Sequence, residues 1–170
     1  MKNKFNRTSK ECLEPESCLC VLHFGWDVEE GLLTKHWLNG NRRYELNFKN
    51  GKQHGESKSW YSNGNLKQTR NWVNGKVDGL WTEWYENGNK ESKGVYKESK
   101  LVGNYTTYYE NGNKQYEGNS DFTPNRLGKQ NGLTTTWNES GQKKSELLWE
   151  NGKIIESSRK SWDEDGNERR

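Results

Sequence analysis

The most regular feature of the chain is one pattern of aromatic, polar and glycine positions that returns about every 24 residues. Its units begin at Gly31, Gly55, Gly79, Gly103 and Gly132, with a partial unit from Ser157. The sixth position of a unit is aromatic or histidine, and the tenth is glycine. Because such periods are typical of stacked repeats, each unit is predicted to pack mainly against its neighbours.

Each unit is predicted to contain two strands and two turns. Asn-Gly follows the first strand in most units, and a second Gly-Lys pair follows the second strand, as at Gly51-Lys52 and Gly75-Lys76. Thr, Tyr and Trp between these turns favour strands. Asn-Gly predicts type I′ hairpin turns, in which both residues adopt positive φ. We therefore expect an all-β fold, an elongated single-layer antiparallel sheet of eleven or twelve strands.

The repeats are predicted to fill residues 18–170. Residues 18–30 look like half of an earlier unit, and residues 1–17 lie outside the pattern. The fourth unit contains an insert near 119–131, which would either bulge from the sheet or serve as a functional loop.

The composition agrees with this pattern. Only 28% of the residues are hydrophobic, and the chain has no Ala but 21 Asn and 18 Gly. These proportions exclude a helical bundle. A net charge of only +3, with 9 Trp and 8 Tyr, argues against disorder.

The repeat closely resembles the bacterial variant of the MORN repeat. The segment that carries the resemblance is Gly79-Leu-Trp-Thr-Glu-Trp84-Tyr85-Glu-Asn87-Gly88, which returns nearly unchanged from Gly103. The resemblance spans about residues 18–166. It implies an elongated antiparallel sheet without enzymatic activity, similar to the YwqK-type antitoxin and immunity proteins. Other arrays of this type dock to membranes or proteins.

Candidate chemistry is sparse. Neither a Gly-x-Ser-x-Gly elbow nor a phosphate-binding glycine loop is present, so we expect no enzyme. The spacing of His23, His36 and His54 does not repeat as metal ligands would, and Cys12, Cys18 and Cys20 lack a second pair. We therefore expect neither a metal nor another cofactor, and no small-molecule substrate.

The aromatic columns are the best candidates for a binding surface. Their rings would either replace a hydrophobic core or remain partly exposed as interface anchors. The predicted partner-binding residues are Trp60, Trp84, Tyr85, Tyr108, Tyr109, Arg42, Arg43 and Arg70. The expected partner is a protein, and more narrowly a toxin that the chain neutralises.

Charge leaves two alternatives open. Residues 31–76 contain nine basic and two acidic side chains, whereas residues 11–30 contain six acidic and no basic ones. The basic stretch could dock to anionic lipid or stack on single-stranded nucleic acid. The low net charge argues against nucleic acid, and the acidic segment could instead cover the basic repeats. No apolar run follows the basic N-terminus, so a cytoplasmic location is expected.

Overall fold

The computed structural model describes residues 28–119 and 130–169. These residues form one open antiparallel sheet of fourteen strands, together with a short 3₁₀ turn at Glu156–Ser158. The strands are β1 Glu30–His36, β2 Arg42–Lys49, β3 Lys52–Gln53, β4 Gly55–Trp60, β5 Leu66–Val73, β6 Lys76–Trp84, β7 Lys90–Lys97, β8 Lys100–Tyr108, β9 Lys114–Asn119, β10 Gly132–Trp137, β11 Lys143–Glu150, β12 Lys153–Ile154, β13 Lys160–Trp162 and β14 Glu168–Arg169.

The sheet is a meander in which each long strand pairs with the next one along the chain. Twelve strands form the main path, while the two-residue strands β3 and β12 pair beside it with β2 and β11. The predicted all-β, single-layer antiparallel array is therefore confirmed. Segment 1–17, residues 18–27 of the predicted half unit and residues 120–129 of the insert lie outside the described residues.

Strand alternation gives the sheet two faces of different character. Directly opposed residues share a face, which assigns Thr82 and Trp84 of β6 to what we call the front face. Trp81 and Glu83 then lie on the rear face. In the central units the front face has a row of buried threonines, and the rear face holds several large rings.

The rear face packs large residues against small ones. Trp81 lies opposite Gly94, and its ring contacts that of Tyr96 with centroids 4.7 Å apart. A Cβ at Gly94 would approach Leu101 Cδ1 to 2.7 Å, so the neighbouring side chains leave room only for glycine. Few residues are fully buried, and Leu101 and Val77 are the buried aliphatic ones among those described. Complementary sizes across adjacent strands thus take the place of a thick core.

The turns are of two kinds, and only one is the predicted type. At Asn50-Gly51 and Asn74-Gly75 both residues have positive φ, as type I′ geometry requires. The third unit keeps positive φ at both Glu98 and Ser99, although it lacks glycine there.

The type I′ prediction is wrong for the other turns. In the turn that ends at Gly88, only the glycine has positive φ, and its N–H donates to the Tyr85 carbonyl at 2.9 Å. The Tyr85 N–H in turn donates to the Asn89 carbonyl, and the register shifts beside the turn. This is a type I turn followed by a bulge with glycine in the left-handed region. The Asn side chain, rather than its backbone, explains why asparagine recurs here, as described below.

Gly88→Val is expected to lower the free energy of unfolding by about 1 kcal/mol or more, because φ is +90° there. The nearest atom to an added Cβ, Asn65 Nδ2, lies 3.9 Å away, so the cost comes from the backbone conformation. Glu86→Val in the same turn, at ordinary φ, is the matched control for thermal denaturation. Equal melting of the two variants would contradict the turn assignment.

Stability is also expected to fall at alkaline pH. Burial raises the pKa of Tyr96 to about 12, with Tyr105 and Glu83 acting in the same direction. An unfolded tyrosine ionises near pH 10, so above that pH the unfolded chain loses a proton that the folded chain keeps. The stabilisation is therefore complete below pH 10 and lost as pH rises toward 12. Urea unfolding at pH 9 and pH 11 should show a smaller loss of stability for Tyr96→Phe than for the unsubstituted chain.

Candidate functional site

Asparagine side chains join successive turns along one edge of the sheet. In each Asn-Gly-Asn turn, both side-chain amides donate to the same backbone carbonyl of the next unit's turn. Asn63 Nδ2 and Asn65 Nδ2 donate to the Glu86 carbonyl at 3.1 and 2.9 Å, while Asn63 Oδ1 accepts from the Asn65 N–H at 2.8 Å. The carbonyls that accept such pairs belong to Ser62, Glu86, Glu110 and Glu139.

Aromatic side chains form a second link beside this asparagine ladder. In the first four units, the seventh residue donates from its ring to the backbone carbonyl of the sixth residue of the next unit. Tyr85 Oη donates to the Tyr108 carbonyl at 2.7 Å, and Tyr109 Oη donates to the Trp137 carbonyl at 2.9 Å. Trp37 and Tyr61 make the same bond earlier in the chain. Burial raises the pKa of the Tyr61 and Tyr85 hydroxyls, and nearby carboxylates add to the shift.

Both ladders end in the fifth unit. Asn138 replaces the aromatic residue, and its Oδ1 accepts from Ser140 Oγ and from the Gln142 N–H within its own turn. The partial unit after it has the same internal arrangement around Asp163. Hydrogen bonds from turn to turn thus give way to bonds within each turn toward the C-terminus.

The opposite edge is joined by backbone bonds, to which side chains add others, such as the bond that the Asn151 N–H donates to Asn131 Oδ1 at 2.7 Å. The N–H of Gly75 donates to the Gln53 carbonyl at 2.8 Å, and the N–H of Ser99 donates to the Val77 carbonyl at 2.7 Å. Gly51 and Gly152 make equivalent bonds. Each repeat is therefore held to its neighbour at both edges as well as through the strands.

Along the front face, the sixth-position rings alternate with the long side chains of the twelfth position. The Arg42 guanidinium lies 5.9 Å from the centroid of Trp60, and Lys114 Nζ lies 5.4 Å from that of Trp137. These rings thus form the predicted row, but a residue of another strand separates each from the next.

A carboxylate at the fifteenth position holds most of these cations. Arg42 pairs with Glu45 at 3.0 Å, and Lys114 pairs with Glu117 at 2.8 Å. Lys143 pairs with Glu146 in the same way. The front face is largely neutralised wherever this ion pair is present.

The third unit breaks the ion-pair rule in the middle of the sheet. Its twelfth position is Lys90, and its fifteenth is Lys93 instead of glutamate. Neither lysine has an ion pair within the described residues. Lys90 lies opposite Trp84, and Lys93 lies between Thr82 and Thr106. The nearest front-face carboxylate in that row, Glu117, is already held by Lys114.

Exposed apolar side chains adjoin these two lysines. Leu80 lies opposite Val95, and their exposed fractions are 58% and 44%. Tyr108 follows on the next strand, and its hydroxyl has no hydrogen bond within the described residues. We refer to Leu80, Trp84, Lys90, Lys93, Val95 and Tyr108 as the central patch. It combines apolar area, two partly buried rings and two unpaired cations.

The predicted partner-binding residues are not all in one place. Trp60, Trp84 and Tyr108 lie on the front face, as does Arg42. Arg43 stacks on the Trp37 ring at 4.5 Å.

Three of the predicted residues lie elsewhere or act within the sheet. Arg70 lies on the rear face, with its guanidinium 4.4 Å from the centroid of Trp81. The hydroxyls of Tyr85 and Tyr109 are used in the ladder between repeats.

The basic stretch 31–76 is likewise divided. Lys58 pairs with Glu56 at 2.8 Å and Lys76 with Glu98 at 3.4 Å, while Arg42 and Arg70 occupy opposite faces. A run of charge in a strand meander is distributed over both faces, so it does not form one continuous basic surface.

Sequence reasoning missed two features that carry a signal. The paired asparagines of Asn-Gly-Asn mark the ladder, and comparing the fifteenth positions of the units identifies Lys93 as the one basic residue among them. A metal site is not apparent either: residues 28–119 and 130–169 contain no group of three or more potential metal ligands. Those residues also contain no helix long and apolar enough to cross a membrane.

Comparison with known proteins agrees with this geometry. The family described as MORN repeat variant matches residues 53–74, 77–98, 101–121 and 130–151, just over half of the chain. The chain belongs to the MORN repeat variant family. The matches to residues 53–74 and 77–98 each start in the strand that follows a type I′ turn, run through one type I turn and end in the next type I′ turn. No curated protein matches the chain significantly.

Membership of the MORN repeat variant family makes the chain a repeat protein with a binding role, of a kind that is generally not catalytic. The first unit from Gly31 and the partial unit from Ser157 lie beyond the matched residues. Even so, β1 pairs with β2, and β13 pairs with β11, in the manner of the matched repeats.

Tyr85→Phe is expected to lower the free energy of unfolding by about 1 kcal/mol, because it removes a partly buried hydrogen bond between repeats. Tyr108→Phe is the matched control, since it removes a hydroxyl that has no bond within the described residues. Chemical denaturation of both variants measures the difference. If Tyr108→Phe costs as much as Tyr85→Phe, the ladder does not stabilise the array.

Proposed function

We propose that the chain is a non-catalytic binding protein that engages an acidic protein surface through the central patch. The observation that carries this proposal is the replacement of the fifteenth-position glutamate by Lys93. In the first, fourth and fifth units the fifteenth-position glutamate pairs with the twelfth-position cation, whereas Lys90 and Lys93 keep their charges available. Carboxylates of a partner would supply the missing counter-charge and steer association.

The neighbouring side chains supply the apolar part of such an interface. Trp84 and Tyr108 offer large area with few rotatable bonds, which is typical of interface anchors. Leu80 on β6 and Val95 on β7 extend that area. Because hydrogen bonds at both edges hold the repeats, these side chains would meet a partner without reordering of the sheet.

Within this proposal, the partner is a toxin and the chain is its cytoplasmic antitoxin or immunity protein. Support comes from the absence of recognised catalytic motifs and from the resemblance of the repeats to such proteins. The sheet would neutralise the toxin by covering an acidic surface at or beside its active site. Predicted residues Trp60 and Arg42 adjoin the central patch one repeat away and would extend the contact.

The test uses the full chain co-expressed with the product of the adjacent gene. A complex that survives size-exclusion chromatography, and growth protection, are expected for the unsubstituted chain. Lys90→Glu with Lys93→Glu should weaken binding at least about tenfold by titration calorimetry, and the salt dependence should shrink. Lys144→Glu with Lys153→Glu is the charge-matched control on exposed lysines elsewhere.

The outcomes test the toxin role, the central patch and the protein nature of the partner separately. A complex without protection would refute the toxin role but keep the binding patch. Equal affinity of the two double variants would refute the patch. Salt-sensitive binding to vesicles of phosphatidylserine and phosphatidylcholine that needs Lys90 and Lys93 would assign the patch to lipid instead of protein.

A further inference from the structure

A groove of about 560 Å³ opens on the rear face, away from the central patch. Its walls include Phe48 and Trp72, and its floor includes Ser57 and Ser59. A volume in this range is typical of sites for small ligands or single side chains.

The groove exists because the second unit lacks a ring at its third position. The next two units have Trp81 and Tyr105 there, whereas this unit has Ser57. Ser57 Oγ accepts from Trp72 Nε1 at 2.7 Å, which fixes the indole as one wall. The space that Trp81 and Tyr105 fill in the next two units is therefore left open between β2 and β5.

Arg70 gives the groove its charge. It lies opposite Ser57 on one side and Trp81 on the other, and its guanidinium stacks on the Trp81 ring. Its Nε is buried without a hydrogen-bond partner. Burial also lowers the pKa of the guanidinium, so the cation is imperfectly compensated in this position.

One carboxylate, that of Glu83, acts on Arg70, because its charge opposes the lowering of the guanidinium pKa by burial. The Glu83 carboxylate accepts from Gln68 Nε2 and from Ser92 Oγ, and within the described residues it makes no ion pair with Arg70. None of the residues that line the groove is acidic. Its other cation, Lys58, pairs with Glu56. The groove thus offers apolar walls and one cation, Arg70, that makes no ion pair within the described residues.

We propose that this groove binds an apolar group that carries a carboxylate, such as the C-terminal residue of a polypeptide that ends in an aromatic side chain. The apolar side chain would lie between Phe48 and Trp72, and the carboxylate would accept hydrogen bonds from the Arg70 guanidinium. The same chemistry could come from a free carboxylic acid. This site lies on the opposite face from the central patch and does not depend on the proposed function.

The test titrates the full chain with N-acetyl-phenylalanine and with a glycine-serine hexapeptide ending in phenylalanine, each as free acid and as amide. Binding is followed by NMR of the Arg70 Nε–H and the Trp72 indole N–H. We expect the free acids to shift both signals, and amidation to weaken binding about tenfold or more. Tighter binding of the hexapeptide acid would identify a polypeptide C-terminus, and tighter binding of N-acetyl-phenylalanine a small acid.

Arg70→Gln should remove the preference for the acid over the amide, while Lys100→Gln, which removes an exposed charge elsewhere, should keep it. Because Arg70 also stacks on Trp81, thermal melting of Arg70→Gln is checked first. If that variant melts early, the comparison of acid and amide on the unsubstituted chain decides alone. Equal binding of acid and amide, or no binding at millimolar concentration, would overturn the proposal.

Discussion

The array depends on hydrogen bonds that satisfy backbone carbonyls at the turn edge from the neighbouring repeat. The turns of a single-layer sheet are exposed, so the backbone carbonyls there would otherwise form hydrogen bonds with water. Two asparagine amides donate to each such carbonyl in place of water, and they fix the distance from one repeat to the next. The high asparagine content is therefore a structural requirement.

This edge constraint decides which aromatic residues are available for binding. Tyr85 and Tyr109 are committed to the ladder, because their hydroxyls reach the next backbone. Trp84 and Tyr108, one position earlier, lie on the front face, and their rings make no hydrogen bond to the next repeat within the described residues. The repeat thus separates a residue that holds the array from one that can meet a partner, although the two are adjacent in sequence.

Much of the fold could be predicted from the sequence because period, strand propensity and turn residues all agreed. The type of turn could not, since Asn-Gly fits both a type I′ turn and the end of a type I turn with a bulge. What distinguishes them is the residue after glycine: Asn65 in one kind and Lys52 in the other. That distinction has meaning only when the next repeat is in place to accept the amide of Asn65.

The candidate site was harder to predict because its signal is a departure from the pattern. The run of basic residues over 31–76 predicts a basic strip, yet strand alternation divides those charges between two faces and local ion pairs neutralise several of them. The informative positions are those at which a unit differs from its neighbours: Lys93, where the next two units have a glutamate, and Ser57, where the next two units have a ring. In a repeat protein the shared positions build the scaffold. Function is therefore best sought where a unit loses a stabilising contact that its neighbours keep, because a partner or ligand can restore that contact.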